Sequence, residues 1–388
     1  MALDLLGSFF VPDLQPYSLI HPISTLEMFA FHARTIIWLH RFLSAACAST
    51  GTVQHIYGAC FNATRCSISM KFYIPLSVVC TLLTGVHAWG ADGHHTIGFV
   101  AMQFLTPRTL SFVQTSLGPE FNESLGTAAT WADEIRSDPA FSWSSPLHFV
   151  DAEDDPENGS CSVHELRDCG DGACVLTAIA NYTVRLVDTS LDAEQRSEAL
   201  RFLDHFIGDI TQPLHVEAIA AGGNGIRVTC SGRSTNLHSV WDTSMLDIHL
   251  NNAFGGSIAT YTNNLVARIR ADNFSVPVSD FISCVSTTEP FTDVDPPPSD
   301  ADPAEGVKRD IRNLLEKRDI TPLACPLVWA RESNGFDCST VFSFTNGTDI
   351  CTGDYLANAI PVIDLQLARS GLRIATWLNE LLDPDSGY

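Results

Sequence analysis

Apolar residues recur at three-to-four spacing over Thr96–Leu105, Leu110–Leu117, Ala128–Arg136, Cys174–Asp188, Ala193–Ile210, Ser257–Ala271 and Asp354–Leu382, the period of helices with one buried face. Strict alternation is scarce; Gly225–Cys230 is the best short strand pattern. Polar stretches separate the periodic ones. Asp154–Cys174 reads as a loop carrying three cysteines. Thr287–Gly306 is acidic and proline-rich, including Pro296, Pro297 and Pro298, as in a solvated loop or disordered insertion. No internal repeat is visible, and one mainly α domain is the simplest organisation.

One apolar run has a different character. Met70–Ala88 opens with a basic residue, continues apolar and ends in small residues, the pattern of a secretory signal cleaved before Trp89. Such a signal belongs at an N-terminus, so residues 1–69 read as an upstream gene-model extension and 89–388 as the mature domain. The rival reading is a membrane anchor in residues 28–49, but that run is interrupted by His32, Arg34, His40 and Arg41 and is too short to span.

Composition follows from that division. The whole chain carries a net charge of −23; four Lys/Arg and three Asp/Glu lie in residues 1–88, leaving 18 basic and 42 acidic residues. A surface this acidic does not grip nucleic acid by counterion release, and any polyanionic substrate would need bound cations. Eight cysteines remain after Ala88, and with a signal peptide they read as disulfides rather than metal ligands, there being no Cys-x-x-Cys. Cys169 and Cys174 are close enough in a Gly-containing loop for a local bridge. Asn122, Asn158, Asn181, Asn273 and Asn346 head glycosylation sequons.

The chemistry gathers in Ala199–His215. His205 and Asp209 stand one turn apart on a helical pattern, and Pro213 should end that helix so that His215 turns back toward them. The spacing repeats at His238 and Asp242. A single His-x-x-x-Asp is usually a surface pair, but two copies with a third histidine between, flanked by Phe202, Leu203, Phe206, Ile207, Leu237, Val240 and Trp241, point to a metal cluster. Ionisable groups on apolar faces are costly unless paired or metal-bound, and imidazole with carboxylate suits zinc. Asp133, Arg136, His148, Phe149 and His94 are ambiguous alone: each suits a solvated or core position equally well.

Together the motifs resemble the secreted zinc-dependent single-strand-specific nucleases of fungi and plants, the nuclease S-one/P-one family, distantly related to bacterial zinc phospholipases C. The resemblance runs in order through Trp89-Gly-Ala-Asp-Gly-His94, Trp131-Ala-Asp-Glu134, Leu147-His-Phe-Val-Asp151, His205–His215, Asn236–Thr243 and Val362–Ala368. It implies a mainly α, single-domain fold of the zinc phospholipase C and single-strand nuclease type, with a trinuclear zinc site and disulfide-tied loops. It implies one zinc held by Asp133, His148, His205 and Asp209, a second by His215, His238 and Asp242, and a third by the amine and carbonyl of Trp89, His94 and a bridging Asp209. Asp133 would aim the attacking water, Arg136 would contact phosphate, Phe149 would stack a base, and Asp151 and Asn224 would bond its edge.

The implied activity is extracellular hydrolysis of single-stranded DNA and RNA to 5′-phosphorylated products, with 3′-nucleotidase activity, by a monomer with no stable protein partner and no membrane attachment. A zinc phospholipase C and a secreted non-catalytic zinc protein share the ligand set. The resemblance pairs Cys161 with Cys338; of the three pairings then open to Cys230, Cys284, Cys325 and Cys351, Cys325 with Cys351 is preferred. Two departures stand out. Arg233 and Ser244 occupy positions where some members carry a second aromatic platform, and the acidic loop has no matching segment.

Overall fold

A computed structural model of the chain describes residues 89–169, 172–291 and 322–386. The signal segment, everything before it and most of the acidic proline-rich stretch lie outside the described residues. The longer helices are α1 (Ala91–Met102), α2 (Pro107–Leu117), α3 (Trp131–Ile135), α4 (Val175–Val187), α5 (Ala193–Asp209), α6 (Met245–Phe254), α7 (Ile258–Arg270), α8 (Ala324–Ser339) and α9 (Gly353–Leu382). The fold is mainly α, as the periodicity predicts. One hairpin breaks the pattern: β1 (Arg227–Cys230) pairs antiparallel with β2 (Arg233–Asn236), Cys230 opposite Arg233. No helix among the described residues is long and apolar enough to cross a membrane.

Local chemistry sets the helix ends. The Asp192 carboxylate accepts from the Gln195 amide at 2.8 Å at the start of α5, and the Ser257 hydroxyl accepts from Thr260 at the start of α7. Gly255 closes α6 in the left-handed region at φ 61°, where a side chain would be strained. From Ala199 to Asp209 every residue of α5 is buried, so this helix runs through the interior between α4 and α9. A second close approach depends on glycine: a Cβ on Gly98 would lie 2.6 Å from the Gly126 backbone, where α1 meets the turn Leu125–Ala128.

The expected helix over Ala128–Arg136 is in fact two pieces, Leu125–Ala128 and α3, with Ala129 and Thr130 between. The break frees the Ala129 carbonyl from a helical ladder. The periodicity also passes over α6 and α8. On α8 the reason is visible: Ser333, Asn334 and Asp337 are buried beside Leu327, Trp329 and Ala330, so the apolar stripe is diluted.

α9 is the spine. Its buried polar residues tie neighbouring backbones. Gln366 Nε2 donates to the Thr211 carbonyl at 2.6 Å and to Ser333 Oγ at 2.9 Å; Ser370 donates to the Ile207 carbonyl at 3.0 Å; Asn379 donates to the Phe104 carbonyl and accepts from the Thr106 amide, both at 2.9 Å. Two of these satisfy carbonyls at and just beyond the C-terminal end of α5, which helical bonding leaves open.

Four disulfides tie the loops. Cys161–Cys338 and Cys169–Cys174 form as expected. The preferred Cys325–Cys351 pairing is wrong: the bridges are Cys230–Cys351 and Cys284–Cys325. The segment before Cys351 lies along β1, where the Ile350 amide donates to the Thr229 carbonyl at 2.9 Å. Cys325 begins α8 near Cys284, whose carbonyl accepts from Trp329 Nε1 at 3.1 Å. Both proximities are long-range and leave no trace in cysteine spacing.

One buried acid has no matching base. Asp337 is fully buried, and burial, with Glu217 and Asp154 nearby, raises its carboxyl well above the usual carboxylate range. A raised carboxyl binds more protons folded than unfolded. Its contribution to stability is therefore lost as pH rises from about 3.9, the unfolded value, through the folded value. Asp337→Asn is expected to melt higher than the parent at pH 8 and close to it near pH 4; a thermal-melt difference that does not grow with pH would contradict this.

Candidate metal centre

The ligating groups arrive from the ends of separate elements. Asp133 comes from α3, His148 is the last residue of the 3-10 helix Ser142–His148, and His205 and Asp209 lie one turn apart at the end of α5. His215 sits in the turn Pro213–Val216 that follows, so Pro213 does end the α5 segment and fold it back. His238 lies in the short helix Leu237–Ser239 and Asp242 in the π-helical turn Val240–Ser244, where the i, i+4 spacing still places them together, 3.1 Å apart. His94 comes from α1 and stacks on His205, ring centroids 3.9 Å apart.

These side chains converge. Ligand atoms of His148, His205 and Asp209 all lie within 4.8 Å of one another, as do those of His94, Asp133 and His205, and separately those of His215, His238 and Asp242. Asp209 is the hub: its carboxylate is 3.2 Å from His94, 3.0 Å from His148 and 3.4 Å from His205. Close approach of His94 depends on Gly208, where a Cβ would lie 3.0 Å from two ring atoms.

Hydrogen bonds fix the ring nitrogens. His205 Nδ1 faces the Ala129 carbonyl at 2.6 Å, His215 Nδ1 the His148 carbonyl at 2.8 Å, and His238 Nδ1 the Gly222 carbonyl at 2.6 Å. A carbonyl only accepts, so each ring donates from Nδ1 and carries its lone pair on Nε2 when neutral. Burial pushes His148 and His205 below the usual imidazole range and His215 down to about 3, which keeps them neutral. Burial works against ionisation of Asp209, yet His205, His148 and His94 hold its carboxyl well below the usual range. His215 Nε2 is buried with no hydrogen-bond partner. Neutral imidazole lone pairs and buried carboxylates brought this close repel one another unless a cation lies between them. The donor set fits zinc, and the main-chain carbonyls behind the rings are the outer-shell partners that ligating histidines use.

The remaining expected residues surround this cluster. Trp89 is fully buried; the Gly90 amide donates to the Asp242 carbonyl at 2.8 Å and the Trp89 indole to Thr211 Oγ1 at 3.3 Å, which holds residue 89 against both the turn after α5 and the Asp242 turn. Arg136 Nη2 lies 3.2 Å from Asp133 Oδ1. Phe149 is 37% exposed. Burial, then Asp168 and Glu153, raise the Asp151 carboxyl. Asn224 is half-buried and donates to the Ala221 carbonyl at 2.8 Å.

Sequence reasoning missed two supports. Gln212 donates to Asp242 Oδ1 and accepts from the Leu214 amide, bracing both the second ligand set and the turn before His215. Gln366, from α9, holds the Thr211 carbonyl. Gln212 lies inside the quoted motif, and only its glutamine between two apolar-flanked ligands hinted at a role; Gln366 is too distant for any local signal.

A mainly α fold that brings buried histidines and aspartates together in this way defines a helical metalloprotein with the donor set of a zinc centre. A profile of the S1/P1 Nuclease family matches residues 89–294 and 298–383, and the chain belongs to that family. It is similar to Nuclease P1 of Penicillium citrinum, 37% identical over 297 residues covering 76% of this chain and 97% of that protein. It is 36% identical to Nuclease S1 of Aspergillus oryzae over 319 residues, 80% of this chain and 98% of that protein. Endonuclease 4 of Arabidopsis thaliana is 30% identical over 325 residues, 80% of this chain and 95% of that protein. The protein is thus a zinc-using phosphodiester hydrolase.

Asp209 touches three histidines, so its loss should affect the cluster as a unit. Asp209→Asn is expected to lower zinc content by more than one ion per chain and to lower the melting temperature. Metal analysis showing the parent's full zinc content would contradict the hub role.

Proposed function

We propose that the protein is a secreted endonuclease that cleaves single-stranded DNA and RNA to 5′-phosphorylated products and removes 3′-phosphates from nucleotides. The observation that carries this reading is a buried imidazole–carboxylate cluster in which Asp133 lies beside Arg136 and His148 is followed in sequence by the exposed Phe149. Three zinc ions are proposed, held by Asp133, His148, His205 and Asp209; by His215, His238 and Asp242; and by Trp89, His94 and Asp209. When bound, zinc lowers the pKa of water toward neutrality and neutralises charge on phosphate oxygens.

The side chains supply the rest. Asp133 orients the attacking water by accepting its proton-bearing hydrogen bond. Arg136, held beside Asp133, offers the phosphate a charge-assisted pair of bonds. Phe149 gives a base a flat face, and Asp151 and Asn224 offer its edge an acceptor and an amide. A base seated in this way must be unpaired, which is the physical source of single-strand preference. That edge recognition favours a nucleotide over the lipid head group of a phospholipase. Arg233 and Ser244 are not aromatic, so the proposal places no base platform at those positions.

Secretion rests on the signal pattern at Met70–Ala88 and on four disulfides, which belong to an oxidising compartment. The family match beginning at Trp89 agrees with cleavage after Ala88.

The purified protein is expected to release acid-soluble 5′-phosphorylated nucleotides from denatured DNA much faster than from duplex, and to stop when a chelator removes zinc. Arg136→Ala should keep its zinc and lose roughly 10²-fold or more in turnover, the scale of one lost transition-state contact. Retained turnover in that variant, or lost zinc, would remove Arg136 from its assigned role.

The N-terminus gives a separate test. A free α-amine has a lone pair once deprotonated, with a reference pKa of about 7.7–8.0. The same nitrogen within an Ala88–Trp89 peptide has that pair delocalised and ligates poorly. A protein beginning at Trp89 is expected to bind one zinc more than one carrying a short extension before it, and to be the more active. Equal zinc content in the two would count against the amine as a ligand.

A further inference from the structure

Among the described residues, the exposed large hydrophobic side chains are Trp143, Phe149 and three valines. The two aromatic ones lie on a single short element. Ser142–His148 is a 3-10 helix with Phe149 as its C-cap. Such a helix has three residues per turn, so side chains three apart eclipse. Trp143 and Pro146 therefore share one edge, the indole exposed and the proline half-buried, and the exposed Phe149 follows at the end of the element in extended backbone (φ −150°, ψ 169°). Ser144 and His148 are buried, while Ser142 and Ser145 are exposed.

Trp143 is held rather than loose. Its indole Nε1 donates to the Ala140 carbonyl at 2.9 Å, so its one polar group is satisfied within the protein. The ring leans on Phe141 and Phe202, with centroids 6.0 Å and 5.9 Å away, and is still 50% exposed. Phe202 lies one turn before the His205 ligand on α5, so the platform rests on the helix that carries the metal site. A rotationally fixed, half-exposed indole presents a flat apolar face that the fold itself does not use.

We propose that Trp143 is a second base platform, stacking a nucleotide of the same single strand beyond the one seated on Phe149. This rests on the reading of Phe149 as a base platform. At about 2.0 Å of rise per residue, the six residues from 143 to 149 advance the backbone by roughly 12 Å, a span of about two to four nucleotides at ~3.4 Å or more per step. Electrostatics favours stacking over an ionic grip: the chain carries a net charge of −23, and Ser142, Ser144 and Ser145 beside the ring carry none. Base faces are neutral and can be stacked without a basic surface, whereas the strand's phosphates would be repelled. The platform extends the site along the strand and makes long substrates better than short ones.

The test compares substrates by length, using a thymidine oligonucleotide about ten nucleotides long and a dithymidine phosphodiester. Trp143→Ala is expected to raise KM for the long substrate about tenfold, the scale of one lost base–aromatic stack, and KM for the short one less than about twofold. Trp143→Phe keeps a ring and should restore most of the difference. Zinc content and melting temperature of both variants are measured alongside, and the Phe variant decides the matter if the Ala variant does not fold. In addition, a cleavage-resistant phosphorothioate oligothymidylate is expected to quench the exposed indole's fluorescence in the parent, and this component should vanish in Trp143→Phe. Equal KM changes on both substrates, an unchanged long-substrate KM, or quenching identical in parent and Phe variant would overturn the platform. A parent that cleaves neither substrate would instead overturn the nuclease reading, with the quenching result still deciding whether Trp143 meets a base.

Discussion

One electrostatic constraint governs the centre of this molecule: carboxylates and neutral imidazole lone pairs are brought together on buried side chains. Asp209 sits within 3.4 Å of three histidines, and the rings of His205, His215 and His238 are turned by main-chain carbonyls so that their lone pairs face inward. Unfilled, such an arrangement is costly; with zinc it becomes a source of folding energy. The chain's acidity has the same consequence at larger scale. A chain with a net charge of −23 offers a polyanionic substrate no net attraction of its own, so bound cations must supply it.

Meeting that constraint requires interrupted secondary structure. The gap at Ala129 and Thr130 frees a carbonyl for His205. The turn at Pro213 folds His215 back, and the π-helical turn at Val240–Ser244 keeps Asp242 over His238 while its main chain receives Gly90. These breaks would be weak points in an ordinary bundle. α9 compensates by donating side-chain hydrogen bonds to carbonyls near the end of α5, and Gln212 braces Asp242 directly. The disulfides hold the outer loops, with Cys161–Cys338 joining the loop after Asp151 to the end of α8.

Much was legible in the chain alone, because the information was local or repeated. Apolar spacing marked α5 and α9 nearly to the residue. His205 with Asp209 and His238 with Asp242 declared themselves by i, i+4 spacing on apolar faces, and the acidic balance excluded a basic nucleic-acid surface. The family motifs extended this to His94, Asp133 and His148, which carry no signal individually. What stayed hidden was long-range. Cys230 and Cys284 took Cys351 and Cys325 because β1 and the start of α8 lie beside them, a proximity that spacing along the chain does not encode. α8 was missed because its buried face mixes Asp337, Asn334 and Ser333 with apolar residues, and periodicity registers only the apolar part. That Trp143 and Phe149 are the exposed aromatic residues of one short segment required the tertiary structure, because the burial of Ser144 and His148 beside exposed Ser142 and Ser145 follows no periodicity along the chain.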